Sequence, residues 1–373
     1  MEKKRNGEID VLRFIIATIL VIYHLCQIFK LKYVNRGNIG VEFFFVVSGY
    51  LMAAHAKRVL TKAPTLPSGT EIANETWKFI GGKVKSYFKY FLFALIMQTI
   101  LIDGMLKHIT FTALCRKLLT AIPALTQTVI GLNYSSSVLY LSGSWYLSAM
   151  IIAMFLLYPL LLKKYESATK YYFPLISMFV LGYLYTKYGE CSIWEKWDVI
   201  CFTGILRGLS EVALGGFLFE VANYVASRYE WLLSSEKVGC KVFLTIIKLV
   251  CYTIFFLYAQ GSHFKKDFSL YALLFVSIGV MLSFLNAGYT IPESRLTRFL
   301  GKISLPIYLY HGMFKNYFGH LLDPKVVSLS VLCALTIGII LIAIIFYFFV
   351  NFASKIINKG FQKIKEHASV EET

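Results

Sequence analysis

Apolar residues fall along this chain in blocks. Ten of the blocks approach the roughly 20 residues that a helix needs to cross a hydrocarbon layer about 30 Å thick. They occupy residues 9–29, 39–57, 86–106, 144–162, 172–188, 199–222, 242–260, 268–287, 303–319 and 327–352. Polar, turn-rich stretches separate them, the plainest being 61–77, TKAPTLPSGTEIANETW. Residues 110–131 are apolar on one side only and carry Arg116, Lys117 and Pro123. That pattern predicts an interfacial or re-entrant segment in preference to an eleventh span. The expected fold class is all-α: a polytopic integral membrane protein with about ten transmembrane helices in a single bundle. The bundle takes residues 1–354, and a cytoplasmic tail takes 355–373.

Composition excludes a soluble alternative. Of 373 residues 57% are hydrophobic and 16% charged, where a soluble domain carries about 25% charged residues. Mean hydropathy is +0.62. A single soluble core stops growing near roughly 250–300 residues and could not hide this much apolar surface.

Charge then orients the spans. With the N-terminus inside, the inner loops and termini hold 22 of the 38 Lys and Arg residues and the outer loops 11. The other five, Arg13, Lys89, Arg207, Lys248 and Lys315, fall inside spans. This twofold bias predicts a cell-membrane protein with both termini cytoplasmic. Basic inner loops against anionic lipid also account for much of the +17 net charge without any nucleic acid. The first apolar run carries Asp10 and Arg13 near its start and lacks a small-residue cleavage site, so it is expected to be a retained span. Seven cysteines show no ligand spacing, and Cys26, Cys201, Cys251 and Cys333 lie in apolar runs. They are expected to pack, not to pair or to bind metal.

Candidate chemistry rests on ionisable residues inside spans, because burying charge in lipid is costly and usually functional. Arg13 and His24 share the first span, eleven residues apart. Eleven residues give about 16 Å of rise and almost three whole turns, so both side chains leave the same face. One face thus carries a fixed cation near the inner boundary and a titratable imidazole near the outer one. The same spacing also suits an Arg13 that snorkels and a His24 that packs. Glu42 opens the second span at about the depth of His24, and a carboxylate beside an imidazole can fix its tautomer and strengthen it as a base. Gly49 permits close helix approach. Ser48 is expected to bond a neighbouring helix, since nothing near it in sequence could activate a nucleophile. Arg207 and Glu211, four apart, can neutralise one another or line a passage. Trp145 and Tyr146 suit an aromatic belt or a sugar platform.

Four segments carry a resemblance. Arg13-x10-His24 precedes Gly-Val-Glu-Phe-Phe-Phe-Val-Val-Ser-Gly at 40–49; Ser144-Trp-Tyr-Leu-Ser and Tyr158-Pro159 follow; Gly301-Lys-Ile-Ser-Leu-Pro-Ile-Tyr-Leu-Tyr310-His311 comes last. In this order and spacing, over residues 8–352, the chain resembles the acyltransferase-3 family of membrane proteins, bacterial enzymes that O-acylate surface glycans. It departs after the second span, where the family's Arg-rich run and Pro-Tyr step are replaced by a run holding Lys83, Lys85 and Lys89. These lysines either anchor the inner boundary or meet phosphate as point charges.

The resemblance implies a membrane acyltransferase with acyl-CoA, most simply acetyl-CoA, as donor substrate and no tightly bound cofactor. Its partners would be a glycan or polysaccharide acceptor and the bilayer. Arg13 with Lys83, Lys85 and Lys89 would hold the donor, and His24, oriented by Glu42, would activate the acceptor hydroxyl. Ser48, Trp145, Tyr146, Arg207, Glu211, Tyr310 and His311 are candidates for lining the site. The competing class is an exporter of a polysaccharide or small molecule. It would more often show paired repeats and matching Gly/Pro-broken helices, and the chain shows neither. A scaffold protein for envelope assembly would not require Arg13 and His24 on one face.

Overall fold

A computed structural model describes residues 5–62, 67–101, 110–112, 115, 144–233, 237–261 and 264–371. Within them each of the ten apolar runs falls on a helix of at least sixteen residues. These are α1 (Gly7–Ile28), α2 (Gly40–Lys62), α3 (Gly69–Gln98), α4 (Ser144–Lys163), α5 (Phe173–Tyr188), α6 (Thr203–Arg228), α7 (Val238–Gln260), α8 (Ser269–Phe284), α9 (Arg295–Leu321) and α10 (Leu329–Glu371). The chain is an all-α membrane protein. By length and composition, α1, α2, α4, α7, α8 and α10 can each cross a membrane. The predicted segment 110–131 lies largely outside the described residues.

α3 and α10 outrun their apolar blocks furthest. α3 starts at Gly69 because Ser68 and Glu71 form a capping box: Ser68 N–H donates to Glu71 Oε2 (2.7 Å) and Glu71 N–H to Ser68 Oγ (3.3 Å). α10 runs on to Glu371, so the expected tail continues the last helix.

The bundle is organised by two close pairs, α2 on α6 and α1 on α9, with α4 and α5 also against α6. Glycines set the first pair's distance. A Cβ on Gly49 would strike the Val212 carbonyl oxygen, and one on Gly215 would strike that of Val46. Each helix thus offers a bare backbone to the other, the small-residue packing that membrane helices use in place of a hydrophobic driving force.

The start of α1 is pinned by polar contacts. Asn6 caps it by accepting from Ile9 N–H (3.0 Å). Buried Lys248 on α7 donates to Glu8 Oε2 (2.9 Å) and to the carbonyls of Ala287 (3.1 Å) and Tyr289 (3.0 Å). Ser283 Oγ donates to the other Glu8 oxygen (2.8 Å). A buried cation with three acceptors is satisfied, so Lys248 fixes α1 and is not free for a ligand.

Candidate active site

α1 is unbroken from Gly7 to Ile28, so Arg13 and His24 keep the shared face that their spacing requires. Each lines a cavity, at opposite ends of that face. The first, about 130 Å³, is bounded by Arg13, Phe44, Ser48, Lys83, Ser86, Tyr87, Tyr146, Met150, Ser304 and Tyr308, among others. The second, about 530 Å³, is bounded by Tyr23, His24, Gln27, Asn38, Trp145, Glu190, Ser192, Trp194, Glu195, Tyr308 and Lys315, among others. Among the described residues Tyr308 alone lines both.

In the smaller cavity Arg13 Nε is buried without a hydrogen-bond partner. An unpaired guanidinium N–H in a low-dielectric site is costly unless a ligand meets it. Lys83 is half-buried on α3 beside it, and Ser86 and Tyr87, three and four residues on, share its face. Lys85 and Lys89 do not join them. They line a separate, largely apolar groove formed by α3, α4 and α10, and Lys89 Nζ donates to Asn351 Oδ1 on α10 (2.5 Å). The three lysines therefore do not form one cluster. Lys83 and Lys85 lie about 200° apart around a helix, so one face cannot present both.

In the larger cavity the His24 imidazole is held on two sides. Its Nδ1 lies 3.2 Å from Gln27 Oε1, while Gln27 Nε2 donates to the Tyr23 hydroxyl (2.6 Å). With the amide oxygen turned to His24, Nδ1 carries the proton and Nε2 keeps its lone pair. The ring also stacks on His311, centroids 4.9 Å apart and planes at 24°. His311 is buried, its Nδ1–H donates to the Tyr308 carbonyl, and its Nε2 has no partner. His311 thus backs His24 without lining either cavity.

Glu42 does not orient His24. Its Oε2 accepts from Arg207 Nη2, and the pair is fully buried. The same guanidinium donates to Glu211 Oε1 (3.3 Å), the Ser192 carbonyl (2.8 Å) and the Asn38 carbonyl (3.2 Å). The glycine contacts of α2 with α6 bring Glu42 to Arg207, and a buried cation holds a carboxylate more strongly than a neutral imidazole does. The expected Arg207–Glu211 pair is thereby a three-residue network. It ties the loops that carry Asn38 and Ser192, both walls of the His24 cavity, to α6.

The remaining candidates separate. Trp145 lines the larger cavity, stacked on Trp194 (5.1 Å, 13°), with Arg207 over its ring (5.4 Å). Tyr146 lines the smaller one, and Ser48 Oγ donates to Met150 Sδ there (3.3 Å). Both aromatics are buried rather than set in an interfacial belt. Tyr310 turns away, packed on Phe93 and Phe346. Gln27, Tyr308 and Lys315 were not singled out from sequence. Gln27 was findable, since it sits three residues after His24, one helical turn on.

A family model described as an acyltransferase domain matches residues 6–348. The chain belongs to the acyltransferase-3 family. That span takes in α1 through α9, the apolar first half of α10, and both cavities. No curated protein and no solved structure matches the chain. The protein is thus a multi-pass membrane acyltransferase, with its two candidate chambers inside the family's own domain.

Proposed function

We propose that this acyltransferase moves an acyl group, acetyl in the simplest case, from cytoplasmic acyl-CoA to a hydroxyl of a bacterial cell-surface polysaccharide or related glycan. The observation that carries this is the pair of chambers on one face of α1. One is lined, among the described residues, by the cations Arg13 and Lys83 with no acidic residue and has an unpaired Arg13 N–H, whereas the cations of the other, Arg36, Lys266 and Lys315, share it with Glu190 and Glu195. The other holds an imidazole whose Nε2 keeps its lone pair. The donor's phosphates suit the Arg13 end, and Trp145, Glu190 and Gln27 give the other chamber the aromatic and hydrogen-bonding walls that a sugar needs. The Lys and Arg bias supports a topology with the Arg13 end toward the cytoplasm, where acyl-CoA is made.

In a direct transfer His24 Nε2 takes the acceptor hydroxyl's proton as its oxygen attacks the thioester carbonyl. The tetrahedral intermediate then expels the CoA thiolate, which takes the proton back from the imidazolium. The products are an ester and free CoA, with no net proton change. Radiolabelled acetyl-CoA supplied to inside-out vesicles tests the proposal: label is expected in ester linkage on glycan. Vesicles that leave the label as acetyl-CoA, or that pass glycan across without acylating it, would refute it.

A further inference from the structure

Between the two chambers stand three aromatic rings from three helices: Phe44 of α2, Tyr146 of α4 and Tyr308 of α9. Their centroids form a nearly equilateral triangle, 6.0 Å from Phe44 to Tyr146, 6.2 Å from Phe44 to Tyr308 and 5.6 Å from Tyr146 to Tyr308. Rings at these separations are in contact, within the usual range for aromatic pairs, so no open channel runs between them. All three line the Arg13 chamber, and Tyr308 lines the His24 chamber as well. Tyr308 is the side chain the two chambers share, so the triangle stands on the direct line from Arg13 to His24, which lie about 16 Å apart along α1.

We infer that the triangle is an acyl-selecting gate, with Tyr308 as its moving leaf, and that it restricts the donor to short acyl groups. This rests on the acyl-transfer function proposed above. Two features single out Tyr308. Pro306 lies two residues before it inside α9 and removes a backbone hydrogen bond there, so this turn is less firmly held than its counterparts in α2. The Tyr308 ring also touches His311 (5.6 Å), which stacks on His24. The leaf therefore sits against the catalytic imidazole's support. Size follows from the chamber. At about 130 Å³ it is about a quarter the size of the His24 chamber at 530 Å³, and the touching rings close its far side, so a long acyl chain meets a wall that a short one does not reach.

The test uses the full chain in its native membranes and reads CoA release from acetyl-, butyryl- and octanoyl-CoA. Binding of free CoA to the purified protein reports the fold of each variant. The unaltered protein should use acetyl-CoA at least about tenfold faster than octanoyl-CoA, since each misfitting methylene costs about 10–200-fold in a closed pocket. Tyr308→Ala should bring that ratio within about threefold, while Tyr308→Phe, which keeps the ring, should hold it. If Tyr308→Ala does not accumulate, Tyr308→Leu carries the same expectation. A CoA-binding Tyr308→Ala or Tyr308→Leu protein with the original ratio would overturn the gate. So would an unaltered protein that takes octanoyl-CoA as readily as acetyl-CoA. Absence of turnover with every acyl-CoA would instead strike the acyl-transfer function itself, and the gate with it.

Discussion

At the scale of single residues, the chemistry turns on which nitrogen of His24 is free. Gln27, itself held by the Tyr23 hydroxyl, holds Nδ1, which leaves Nε2 to take a proton. His24→Ala should therefore lower transfer by about 10²–10⁴, the usual contribution of a general base. Acyl-CoA affinity should persist, because the donor's cations sit at the other end of α1. Gln27→Leu should give a smaller fall in kcat with donor KM unchanged, and Gln27→Glu should recover much of it by accepting the same N–H. Initial rates across acetyl-CoA concentration on all three variants check this; full activity in Gln27→Leu would remove the tautomer argument. The depths of Arg13, His24 and Glu42 were legible in the sequence, because helical rise converts residue number into depth. The direction in which Glu42 points was not. Depth says nothing of azimuth, and Arg207, 165 residues away, claims the carboxylate that hydropathy had placed level with His24.

At the scale of helices, hydropathy located every long helix in the described residues but misjudged several ends. It senses the apolar part of a helix and is blind to polar extensions, so it missed nearly five turns of α3, set off by the Ser68 cap, about two turns at the start of α9, and the last turns of α10. Close packing was more readable: Gly49 was recognisable as a point of helix approach, although its partner was not. That contact has a measurable consequence. Gly49→Ala puts a methyl group against the Val212 carbonyl, and overpacking of this kind costs about 1–3 kcal/mol. The variant should unfold at lower temperature in detergent. Because Glu42 lies two turns earlier on the same helix, its link to Arg207 should loosen and transfer should fall as well. Gly69→Ala, where a Cβ meets nothing, is the control. Equal melting temperatures for the two variants would show that the glycine contact does not set the α2–α6 distance.

At the scale of the whole molecule, the two chambers give the bundle a direction, and that direction must agree with its charge. The Lys and Arg excess predicts both termini in the cytoplasm, so reporter fusions at either end should report the inside; an outside C-terminus would overturn the topology. With that topology the Arg13 chamber, with Lys83 as its second cation, is the one that would face the proposed acyl-CoA pool. The three lysines of α3 should accordingly behave as two groups. Lys83→Gln should raise the apparent KM for acetyl-CoA about tenfold, the effect of losing a charged hydrogen bond of roughly 1.5 kcal/mol. Lys85→Gln with Lys89→Gln should leave that KM alone, since both line the groove beside α10 and Lys89 is already held by Asn351. Lowering ionic strength should widen the gap between Lys83→Gln and the unaltered protein, because a half-buried cation meeting phosphate is only partly shielded from salt. If instead the double variant raises KM and Lys83→Gln does not, the donor enters by the α3–α4–α10 groove, and the small Arg13 chamber is not its phosphate site.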